Sequence, residues 1–143
     1  MGRTLTDTGE GIAFLDGTYE EVLQLTREAR DYFARQEPSD SGKLAAEARL
    51  VASCEAMRLT ARLTQVMAWL LVQKAVHAGE MTRIQAAEDR FRLGGQKVCA
   101  RADPVARDYL PPRLAELLAQ SHTLYSRVAR LDAMLGEELG LIS

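Results

Sequence analysis

Two histidines, two cysteines and a scatter of carboxylates are the side chains on which metal binding or catalysis would have to rest. A dinuclear iron bundle requires Glu three residues before His on one helix face, but Lys74 precedes His77 and Ala119 precedes His122. Cys54 and Cys99 lie far apart with no Cys-x-x-Cys pair, which argues against zinc and dithiol chemistry and for packing roles. Ser121 and His122 are neighbours, and neighbours on a helix point about 100° apart, so they cannot pair as nucleophile and base. Gly94 and Gly95 run into Gln96 and Lys97 without the pattern of a phosphate loop, and they read as a helix stop. Glu20 with Glu21, and Glu137 with Glu138, fall on solvent-facing stretches and read as surface charge. No catalytic, metal or cofactor site is expected, and the chain reads as a non-enzyme.

One polar constellation stands out. Glu55, Arg58 and Arg62 recur at three and four residues beside Leu59, a spacing that builds a ladder of ion pairs along one helix flank. The favoured reading is an exposed network of small energy, with ordering of the bundle or holding of a partner as the alternative. Arg127, Arg130 and Asp132 are candidate counterparts on another helix, and a charge swap of Glu55 with Arg127 tests that pairing.

These residues need helices to position them. Thr18 and Glu21 form a capping-box pattern, and Tyr19, Val22, Leu23, Thr26, Ala29 and Phe33 give a single apolar stripe, so a first helix is expected from Thr18 to about Gln36. Glu37, Pro38, Ser39, Asp40, Ser41 and Gly42 read as a turn. Between Gly42 and Gly79 no Gly or Pro intervenes, which predicts one long second helix of about 36 residues and about 54 Å. A compact globule of this size has a radius of gyration near 14.5 Å, so an elongated fold is expected. Gly79 suits the end of that helix, and Thr82 with Gln85 opens a short third helix to about Arg92. Residues 96–110 read as a loop with room for a helical turn. Pro111 and Pro112 then start a final amphipathic helix through Leu139. Nothing alternates as a strand does. The expected architecture is all-α: an elongated antiparallel bundle of three major helices with a long central helix plus one short helix. Its parts are a flexible segment at 1–17, the bundle at 18–139 and a short tail at 140–143.

The chain has 143 residues, 47% apolar and 27% charged, which suits one domain and argues against disorder. Lys+Arg 18 against Asp+Glu 20 leaves a net charge of −2, so no positive field draws in nucleic acid or anionic lipid. The longest apolar run, Val66 to Val72, is far short of the roughly 20 residues of a membrane span, and a soluble, cytoplasmic protein is expected. That run nevertheless covers every direction around its helix. It predicts burial partly by the bundle and partly by a second copy in a homodimer, with Val66, Trp69, Leu70 and Gln73 beside Glu55, Arg58 and Arg62 on the shared surface. Trp69 used only as internal core is the competing reading.

The stretch Glu55-Ala-Met-Arg-Leu-Thr-Ala-Arg-Leu-Thr-Gln65, continued by Ala68-Trp-Leu-Leu-Val-Gln-Lys-Ala-Val76, is similar to a hallmark segment of one family. Gly79-Glu-Met-Thr82 at the turn, Leu110-Pro111, and Ser121, Leu124, Arg127, Val128, Arg130, Leu131 and Asp132 in the last helix extend the likeness over Thr18 to Leu139. The family is that of the alphaproteobacterial regulators of CtrA degradation (RcdA-like). The resemblance implies a helical-bundle dimer without catalytic activity. It implies an adaptor in cell-cycle-linked proteolysis by a ClpXP-type AAA+ protease, with other adaptors and substrate proteins as partners. Relatives of known role extend beyond the point matching Ser143, so contacts made by such an extension are not expected here. The alternative is a DNA-associated regulator that uses the short third helix, tested by salt-dependent DNA binding.

Overall fold

The computed structural model describes residues 9–102 and 109–140. Its elements are α1 (Gly9–Asp31), a π-turn (Tyr32–Gln36), α2 (Glu37–Gly42), α3 (Ala46–His77), α4 (Arg83–Ala86), a 3₁₀ turn (Asp89–Phe91), α5 (Gln96–Cys99) and α6 (Pro112–Glu138). No strand occurs among the described residues. The all-α bundle expected from the periodicity is what the structure shows.

The first helix starts at Gly9, not Thr18, because the apolar stripe continues backward: Leu15 is buried in the core and Thr18 is itself buried inside the helix. Thr18 is therefore no cap, and residues 9–17 are part of the bundle. Residues 1–8 and 141–143 lie outside the described residues. The expected turn at Glu37–Gly42 is instead a further helical segment. Pro38 falls in its first turn, where a missing N–H is not missed, and the preceding π-turn, closed by Glu37 N–H donating to Tyr32 O, re-registers the backbone ahead of the ring.

At 1.5 Å per residue the 32 residues of α3 span about 48 Å. Its end matches expectation. Gly79 adopts φ 75°, and two reversed bonds, Gly79 N–H to Val76 O and Glu80 N–H to Ala75 O, close a Schellman motif. Thr82 and Gln85 form the full capping box, yet α4 stops at Ala86 and the expected helix to Arg92 is broken by extended backbone at Glu88.

Paired contacts set the directions of the long helices. Asp16 on α1 meets Lys74 at 3.3 Å, and the α1 residues Glu21 and Glu28 meet Arg127 and Arg113 on α6 at 2.7 and 3.7 Å, so α1 runs antiparallel to both partners. By contrast Arg62 meets Leu118 while Trp69 meets Asp132, so α3 and α6 run in the same direction. The connector through α4 and α5 makes this possible by travelling back along their seam. The core joins Val22, Leu25, Leu59, Val66, Leu70, Leu117, Leu124, Tyr125 and Val128, each apolar side chain contributing about 1.5–3 kcal/mol on full burial.

Candidate functional site

Along the seam, polar side chains of α3 and α6 pin the returning connector. Arg62 is 1% exposed, and its guanidinium donates from Nε to Cys99 O at 2.8 Å and from Nη1 to Leu118 O and Ser121 Oγ, both at 3.0 Å; Nη2 reaches Arg101 O. A rigid fork of donors is what four convergent acceptors require. Burial, and then the neighbouring Arg58 charge, pull the guanidinium below its ordinary pKa, while Glu55 opposes them. Arg58 pairs with Glu55 through Nη1 and donates from Nε to Val98 O at 3.1 Å. Of the expected ladder only Glu55 and Arg58 form an ion pair; Arg62 turns to backbone carbonyls and Ser121 instead, and because Glu55 and Arg62 are buried the network is no exposed flank.

Higher up, Gln65 Oε1 accepts from Gly94 N–H at 3.1 Å, and Tyr125 donates its hydroxyl to Gly94 O at 2.8 Å. Gly95 then takes φ 71° as the cap of α5. The double glycine thus ties the connector to the seam; it is not the expected helix stop, because α4 has already ended at Ala86. Beyond it Asp132 Oδ1 accepts from Trp69 Nε1 at 3.0 Å and from Arg92 Nε at 2.9 Å. Arg92 Nη2 also donates to Asp132 O at 3.0 Å.

These contacts correct the expected dimer surface. Val66, Trp69, Leu70 and Gln73 lie inside a single chain, because the connector and α6 cover the part of the 66–72 run that α1 leaves open. Trp69 is internal core, 3% exposed. Of the expected counterparts, Arg127 pairs with Glu21 and not Glu55, Asp132 serves Trp69 and Arg92, and Arg130 is exposed. The third-helix DNA reading fails on geometry: α4 is four residues long, Arg90 pairs with Glu88, and Arg92 is committed to Asp132.

The open surface lies on the other side of α3. There an apolar groove runs between α1 and α3, lined by Ala29, Arg30, Phe33, Thr60, Leu63, Thr64, Met67, Ala68 and Leu71. Met57 and Leu71 are 73% and 51% exposed, and Leu50 is also exposed. Leu50, Met57, Thr64 and Leu71 recur every seven residues. That repeat was the available signal, and the continuous apolar run at 66–72 masked it.

Among the described residues no three His, Cys, Asp or Glu gather as a metal site would, and no helix is long and apolar enough to cross a membrane. His122 Nε2 lies 3.0 Å from Ala100 O, and Cys99 is buried while Cys54 is exposed.

Comparisons with known proteins agree with this arrangement. The profile of a family described as a protein of unknown function, DUF1465, matches residues 11–140. The chain is similar to the crystal structure of RcdA from Caulobacter crescentus CB15, with 37% identity and a TM-score of 0.67, over 85% of this chain and 89% of that one. No curated protein matches it.

Proposed function

The chain belongs to the RcdA-like DUF1465 family, and from that premise we propose that it is a noncatalytic cytoplasmic adaptor that promotes cell-cycle-linked proteolysis by a ClpXP-type AAA+ protease. It acts by holding substrate proteins and other adaptors near the protease. Tethering raises the local substrate concentration, so individually weak contacts suffice.

The observation that carries this reading is the groove between α1 and α3, an apolar surface left open on a bundle whose opposite seam is closed by its own connector. A second copy is the occupant assigned to it. A twofold axis near Thr60 and Ala61 sets Leu50 against Leu71 and Met57 against Thr64 of the second copy. The expected homodimer is therefore retained with a new face, opposite the seam. Protease, adaptors and substrate then use the surface that the dimer leaves open.

Light scattering together with affinity capture tests the proposal. The intact chain is expected to run as a dimer at micromolar concentration and to retain ClpX-type unfoldase or partner adaptors. Thr64→Arg is expected to give a folded monomer. A monomeric intact chain removes the dimer, and failure to bind any of the protease machinery removes the adaptor.

A further inference from the structure

Where the π-turn and α2 meet the first turns of α3 and the start of α6, they border a cavity of about 170 Å³ that opens to solvent. Its apolar lining comes from the Tyr32 and Phe33 rings, which meet edge to face with centroids 5.4 Å apart, and from Ala52, Ala56 and the buried Leu114. Ala52 and Ala56 stand one turn apart on α3 and leave room that larger side chains there would fill. An apolar cavity of about 150 Å³ already holds benzene, so this one has room for a single aromatic ring. Two charges of opposite sign border the same space, half-buried Glu37 on α2 and exposed Arg49 on α3. Neither forms an ion pair among the described residues, and Arg49 spends only Nη2, on Leu44 O at 3.1 Å.

From this combination we infer that the cavity binds a free aromatic amino acid, its ring among Tyr32, Phe33 and Leu114, its carboxylate on Arg49 and its ammonium on Glu37. Opposite charges beside one small space disfavour a plain anion and a plain cation alike, and they suit a zwitterion. The guanidinium fork matches a carboxylate, and the Glu37 carboxylate, which only accepts, suits an ammonium, which only donates. A further ring gains edge-to-face or offset contact with the two already there. Phenylalanine carries all three parts in one molecule of fitting size. The site goes beyond the adaptor reading and does not rest on it, and it shares only Phe33 with the groove between α1 and α3.

The test is an amide-resolved NMR titration of the full chain with phenylalanine. The backbone amides of Phe33, Ala52 and Ala56 are expected to shift together and saturate with a dissociation constant of about 1 mM, the value ligand efficiency allows for a molecule of that size. Alanine, which lacks the ring, N-acetyl-phenylalanine, which lacks the ammonium, and phenylalaninamide, which lacks the carboxylate, are each expected to bind at least about tenfold more weakly. Glu37→Gln and Arg49→Gln are expected to fold and to lose phenylalanine binding by a similar factor; Ala56→Leu fills the cavity from α3 and is expected to abolish it. Absence of saturable shifts at these amides overturns the inference. Full binding of phenylalaninamide or of N-acetyl-phenylalanine overturns it too, and gives the cavity to a peptide terminus instead; unchanged binding in either charge variant does the same for the assigned contacts. Protease delivery is read separately, so a chain that stimulates degradation yet binds no amino acid sinks only this inference.

Discussion

Replacing Arg62 with Met keeps an unbranched apolar stem in the seam and removes the guanidinium. Cys99 O and Arg101 O lose the bonds that hold the connector end, whereas Leu118 O keeps the Ser121 hydroxyl as a partner. Each carbonyl left without a donor costs about 1–3 kcal/mol, and the lost bonds to a charged group are individually stronger than neutral ones. The desolvation cost of a buried cation disappears at the same time, which offsets part of the loss. A net destabilisation of about 3 kcal/mol follows. For a domain of this size that corresponds to a fall in melting temperature of roughly 10 °C. Urea unfolding followed by far-ultraviolet circular dichroism and by Trp69 fluorescence measures it. Arg62→Lys is expected to recover less than half, since an ammonium cannot present a planar fork to acceptors on both the connector and α6. A stability within about 0.5 kcal/mol of wild type for Arg62→Met would refute the reasoning, because ordinary surface substitutions stay inside that range.

Gly95→Ala forces a side chain into the left-handed region at φ 71° and brings Cβ to 3.0 Å from Cys99 Sγ, so a loss of about 1–2 kcal/mol is expected in the same urea assay. With Ellman's reagent at neutral pH, the exposed Cys54 is expected to react promptly and the buried Cys99, whose thiol pKa burial raises, only on unfolding; two fast thiols would contradict the seam. Burial first, then nearby Cys99 and Asp132, push the Tyr125 hydroxyl up to about 12. Since the folded value lies above the unfolded value of about 10, the associated stability is complete below pH 10 and declines as pH rises towards 12. Tyr125→Phe is expected to flatten that decline, and an unchanged alkaline profile would count against it.

Much of the fold was legible because its signals are local. The Schellman turn at Gly79, the box of Thr82 with Gln85 and the proline start of α6 each depend on a few adjacent residues. The start of α1 was missed because Thr18 and Glu21 form a cap pattern that the buried Leu15 overrides through tertiary packing. Misreading the seam had one cause: Arg62 and Trp69 meet residues far along the chain, Cys99, Ser121 and Asp132, and nothing near them in sequence announces a connector that doubles back. The same gap hid the groove. Once the connector covers Trp69, the exposed side of α3 is the opposite one, where Met57, Thr64 and Leu71 stand.

Reconstituted degradation is the most direct test of the adaptor account. A ClpXP-type protease, its partner adaptors and a fluorescently labelled cell-cycle regulator are mixed with and without this chain, and the loss of substrate is followed in time. Faster loss with the intact chain, falling back to the basal rate with Thr64→Arg, is the predicted result. Identical rates with and without the chain, under conditions where the partner adaptors are active, would contradict it.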